Sequence, residues 1–135
     1  MSAVTRFFFR SPYAVEPTTW SVIEWWEARR LAYNLAVGGA GLLSLGAIGI
    51  VSLLVDHHLF FPVPWQPIAA YAVAANVCYS AGPVADLYVV KRWGAEYAPV
   101  GPALFRYGFV FAVGLTLLPL PLTIVAGIID VLRLF

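Results

Sequence analysis

Charged residues are spaced along this chain so that three long apolar stretches lie between them. Leu31 to Val55 is 25 residues without a charge, bounded by Arg29 and Arg30 before it and Asp56 after it. A helix rises about 1.5 Å per residue and roughly 20 apolar residues cross a hydrocarbon core about 30 Å thick, so this stretch crosses with a little tilt. The second stretch runs from Leu59 to Ala85. Its opening, Leu59 to Trp65, carries two prolines and a tryptophan and reads as a short loop in the headgroup region. The helix then starts near Pro67, where a first-turn proline loses no bond it needs, and continues to about Val90 with a kink near Pro83. The third stretch, Tyr107 to Ile129, lies between Arg106 and Asp130.

Pro119 and Pro121 interrupt that third stretch, and each removes a backbone donor. The expectation is one spanning helix kinked at this pair, its freed carbonyls bonded to Thr116, Thr123 or a neighbouring helix. The alternative is a half-membrane hairpin that returns the C-terminus to the side it left. Ahead of the first span, residues 22–30 read as an interfacial or cytoplasmic helical extension. Ser21 and Glu24 have capping-box spacing and Trp20 and Trp25 the spacing of a hydrophobic staple. The pattern thus predicts an all-α membrane protein with three transmembrane helices, at about 31–55, 67–90 and 107–129. All of 1–135 forms one small helical domain, with 1–30 as its N-terminal segment.

Composition agrees. The chain is 61% hydrophobic and 11% charged, with a mean hydropathy of +0.83, whereas soluble domains average about 45–50% apolar and about 25% charged. Soluble enzyme folds, nucleic-acid modules and disulfide scaffolds are poor candidates. Phe7 to Phe9, enclosed by Arg6 and Arg10, is too short an apolar run for a cleavable signal, so targeting is expected to come from the first span. Seven of the eight basic residues are Arg and Lys91 is the only Lys, a bias pointing to a GC-rich bacterial genome and an inner membrane. With three crossings, Arg6, Arg10, Arg29, Arg30, Lys91, Arg92 and Arg106 fall on one side and Arg133 on the other. The positive-inside rule then puts the N-terminus in the cytoplasm and the C-terminus in the periplasm.

Small residues supply the strongest signal for contacts. Ala36, Ala40 and Ser44 repeat every fourth position in the first span, and Ala70, Ala74, Cys78 and Gly82 do so in the second. Such stripes let helix backbones approach closely, and in lipid it is packing that associates helices. They are expected to pack the first two spans together, or to present a face to another subunit. Polar candidates within or beside the membrane are Asn76, Ser80, Asp86 and Arg106; Asn76 needs a partner at its depth, and Asp86 with Arg106 is a candidate pair. Trp20, Trp25, Trp26, Trp65 and Trp93, with Arg29 and Arg30, are expected as interfacial anchors.

His57 and His58 follow Asp56 at the end of the first span and are weak candidates for a metal, haem or chlorin ligand, since no third ligand stands at a recognisable spacing. No cofactor is expected. Ser/His/Asp order, phosphate-binding glycine loops, HExxH and paired catalytic carboxylates are missing from the sequence, so enzymatic activity is not expected. Two functions fit. One is an accessory or structural subunit whose partners are membrane lipids and other membrane subunits or copies of itself. The other is a homo-oligomeric channel or small transporter whose path is lined by polar residues of the second span, such as Asn76 and Ser80. Neither involves nucleic acid.

Overall fold

The computed structural model describes residues 2–9, 18–55, 63–94 and 100–133. Its helices are α1 (Ala3–Phe9), α2 (Thr19–Val55), α3 (Trp65–Trp93), α4 (Val100–Leu117) and α5 (Pro119–Leu132). Three segments are long and apolar enough to cross a membrane: Thr19–Leu54, Trp65–Trp93, and Val100–Leu132, which joins α4 to α5. The chain is an all-α membrane protein.

The N-terminus of α2 is set by Thr18 and not by Ser21. The Thr18 Oγ1 accepts from the Ser21 N–H at 3.1 Å, and the Ser21 Oγ accepts from the Thr18 N–H at 3.1 Å. This is the reciprocal logic of a capping box, with serine in the place of the usual Glu or Gln. The expected box was one turn too late. With its start at Thr19, α2 is 37 residues and about 55 Å long, so its first turns project beyond the apolar core. Trp20 is 73% exposed and Trp25 7%, so the proposed staple pair is split between surface and interior.

Helix α3 starts two residues before Pro67, which therefore lies in its first turn, and it runs through Pro83 without a break. It stops at Gly94, whose φ of 82° only glycine adopts freely, while the Gly94 N–H closes the last turn on the Val90 carbonyl. The third span is longer than the sequence pattern implies, because α4 starts at Val100 and carries Arg106 inside it. At the break between α4 and α5, Leu118 keeps helical dihedrals and its N–H reaches back to the Leu115 carbonyl at 3.3 Å. Pro119 would have left that carbonyl unpaired. The tighter i→i−3 bond takes its place.

Contacts along α2 decide between kink and hairpin. The Ser44 Oγ donates to the Thr116 carbonyl at 2.7 Å, and Gly127 lies against Val51. Both chains therefore advance in the same direction past the proline pair, as a kinked crossing requires. α3 runs the opposite way, with Trp26 near Gly82 and Tyr33 bonded to the Ala75 carbonyl. The start of α2, the end of α3 and the start of α4 thus share one face, here the N-terminal face, and the end of α5 lies on the other.

Outward surfaces are apolar, as lipid demands. Leu35, Leu42, Leu43, Val73, Val77, Val110 and Phe111 are all exposed. The buried core is concentrated toward the N-terminal face and is mostly aromatic: Trp25, Trp26, Tyr33, Tyr79 and Phe105. Phe105, 2% exposed, has the rings of Phe7, Phe8, Trp25, Trp26, Tyr79 and Phe109 around it with centroids 5.8–6.4 Å away. Most of these pairs are edge-on, the arrangement aromatic quadrupoles favour.

Candidate functional site

The tryptophans expected together at the interface have separate positions. Trp20, Trp65 and Trp93 are exposed, as anchors would be. Trp25 and Trp26 are instead core residues, because α2 is rotated to turn them onto Phe105 and Tyr79. The Trp26 Nε1 donates to the Asp86 Oδ2 at 3.1 Å, and Asp86 is fully buried. A Cβ on Gly101 would stand 2.3 Å from the same oxygen, so glycine there is what lets the start of α4 close over the carboxylate. Arg106 is half-buried with its guanidinium over the Tyr107 ring at 5.0 Å.

The two arginines ahead of the first span have different tasks. Arg29 donates from Nε and Nη2 to the Phe7 carbonyl and from Nη1 to the Trp25 carbonyl, and stacks 3.9 Å from the Trp25 ring. It clasps α1 to α2. Arg30 pairs with Glu27 through both Nε and Nη2, and Nη2 also reaches the Ser80 Oγ at 3.2 Å.

The small-residue stripes do not meet as expected. On α2, Ala40 and Ser44 are buried and Ala36 half-buried, but Ser44 faces the third span, where it bonds Thr116. On α3, Ala70, Ala74 and Cys78 are exposed; the buried face is Ala75, Tyr79 and Asp86. Successive residues are about 100° apart around a helix, so a one-residue shift from Ala74 to Ala75 turns the stripe away from α2. Tyrosine hydroxyls drive that choice. Tyr33 donates to the Ala75 carbonyl and Tyr79 to the Trp26 carbonyl, which fixes the α2–α3 register through large side chains. Only Gly82 of the stripe packs inward, under the Trp26 ring.

Beyond this aromatic end the bundle opens. Between α2, α3 and the α4–α5 junction lies a groove of about 990 Å³ with mostly apolar walls. On its floor the Tyr71 hydroxyl is 2.7 Å from the Thr116 Oγ1, which in turn donates to the Ala112 carbonyl. Asn34 and Asn76 line the end nearest the aromatic core. Asn76 donates to the Ala72 carbonyl of its own helix, and its carbonyl accepts from Ser80. Tyr33, Tyr71, Phe105, Gly101 and Thr116 escaped the sequence reading as site residues. Only Thr116 had a signal, as a candidate partner for the carbonyls freed by proline. His57 and His58 lie outside the described residues.

Three apolar spans and no strand among the described residues make this a small polytopic integral membrane protein. Compared with protein-family models, curated proteins and solved structures, the chain matches none.

Proposed function

We propose that this chain is a non-enzymatic accessory subunit of a larger assembly in a bacterial inner membrane, without a cofactor, and that α3 is its docking face. The observation that carries this reading is the exposure of Ala70, Ala74 and Cys78 while the opposite side of α3 is fixed by Ala75, Tyr79 and Asp86. A thin face on a transmembrane helix lets a neighbour's backbone approach closely, and it has no such neighbour within the described residues. Asn76 and Ser80 bond to their own helix, and Ser80 also to Arg30, so they give the channel reading less support. Arg6, Arg29, Arg30, Lys91, Arg92 and Arg106 gather toward the N-terminal face, which favours a cytoplasmic N-terminus and a periplasmic C-terminus.

Native mass spectrometry of the tagged protein, gently released from its own host's membranes, tests the proposal. Larger chains at a fixed ratio are expected. A homo-oligomer alone would overturn it in favour of a channel, to be followed by flux measurements in liposomes with Asn76→Leu as the control.

A further inference from the structure

The groove between α2, α3 and the α4–α5 junction has a composition ordered by depth. It starts at Asn34 and Asn76, and along α2 it extends to Ile48, a length of about 21 Å at 1.5 Å per residue. Half of a hydrocarbon core of about 30 Å is only about 15 Å, so a tail from one leaflet lies within it completely. Its volume of about 990 Å³ is at the upper end of the roughly 300–1,000 Å³ typical of ligand sites.

One turn nearer the N-terminal face than the two asparagines, and outside the groove's own wall, Arg30 pairs with Glu27 and reaches across to Ser80 on α3. Arg30 commits Nε and Nη2 to these bonds, and Nη1 takes part in none of them. Asn34 is exposed and its side chain makes no hydrogen bond among the described residues, although it enters the apolar stretch. Asn76 already bonds the Ala72 carbonyl, so it is above all the Asn34 amide that calls for a polar partner at this depth. The order from the surface inward is an ion pair, then two amides, then an apolar channel.

We propose that this groove binds one zwitterionic phospholipid of the leaflet on the N-terminal face. Its phosphate lies by Arg30 and its ammonium by Glu27, so the pair meets a headgroup bearing both signs. Its ester carbonyls accept from the Asn34 and Asn76 amides one turn deeper, and its tails run along Gly38 and Gly41 to Ile48. Exchanging a half-exposed ion pair for the headgroup costs little, because such pairs are weak. This site is separate from the α3 face that carries the accessory-subunit reading.

Gly38 provides the test, since a Cβ added there meets nothing within 4 Å and a large side chain would fill the groove. Gly39 is the matched control: it too has open space around its Cβ, but it is not part of the groove wall. The protein is reconstituted in vesicles of equal phosphatidylethanolamine and phosphatidylglycerol, released in mild detergent and weighed by native mass spectrometry. Wild type and Gly39→Phe are expected to retain one phosphatidylethanolamine, and Gly38→Phe to retain at least ten-fold less. Asn34→Leu is expected to lower retention several-fold with the fold intact by circular dichroism. Preferential retention of phosphatidylglycerol, retention of no lipid by wild type, or equal losses in Gly38→Phe and Gly39→Phe would overturn the proposal.

Discussion

Trp26 and Asp86, 60 residues apart in sequence, are joined by a 3.1 Å hydrogen bond from indole to carboxylate that ties the start of α2 to the end of α3. The acceptor is a fully buried acidic group. Leaving a buried acceptor without its donor costs about 1–3 kcal/mol. Trp26→Phe keeps most of the ring and removes the donor, so it is expected to lower unfolding stability in detergent by about that amount. Thermal or denaturant unfolding followed by near-UV circular dichroism measures it, and an unchanged midpoint would mean that the indole N–H contributes nothing.

Glycines should divide into two groups. An added Cβ at Gly82 would stand 2.4 Å from Trp26 ring carbons, and one at Gly101 would be 2.3 Å from the Asp86 Oδ2, whereas one at Gly39 meets open space. Overpacking of this kind costs about 1–3 kcal/mol. Gly82→Ala and Gly101→Ala are therefore expected to destabilise the fold, and Gly39→Ala to leave the melting temperature unchanged or slightly raised.

Arg29 holds α1 in place through a planar fork on the Phe7 carbonyl together with stacking on Trp25. Lysine keeps the charge but has neither the fork nor the flat face. Arg29→Lys and Arg29→Gln should thus both speed amide hydrogen exchange in residues 3–9 by an order of magnitude, with exchange in the middle of α2 unaltered. Equal protection in Arg29→Lys would show that charge alone suffices.

The proposed docking face makes its own prediction. Ala74 is exposed, so Ala74→Phe adds bulk where none of the described residues has to be displaced. Co-purification of larger subunits should drop several-fold while the variant's melting temperature stays near that of wild type. Full co-purification by Ala74→Phe would move the partner contact off this face.

The three crossings were legible because the bilayer imposes a minimum length on uncharged segments, and Arg29-Arg30, Asp56, Arg106 and Asp130 mark their ends. The proline kink was legible too, since a lost N–H has a definite position. What the sequence hid was rotation about each helix axis. The four-residue stripes Ala70–Ala74–Cys78 and Ala36–Ala40–Ser44 are equally compatible with meeting and with diverging, and the choice was made by Tyr33 and Tyr79, whose hydroxyls reach backbone carbonyls on the facing helix. Trp25 and Trp26 were hidden for a related reason. An interfacial belt and a buried aromatic cluster draw on the same residue type, and only the position of Phe105, 79 residues beyond Trp26, distinguishes them.

Unequal packing along the bundle has a mechanical consequence. One end is closed by interlocked rings and the Arg29 clasp, while the other is parted by the groove and divided at Leu118 into two helical segments. Bilayers differ in thickness, and a spanning protein answers by tilting or bending wherever its own cohesion is least. Here the closed end is expected to act as the pivot. A thicker or thinner membrane is expected to be met by a change in the splay of α3 away from α2 and α5, which stay packed where Gly127 meets Val51.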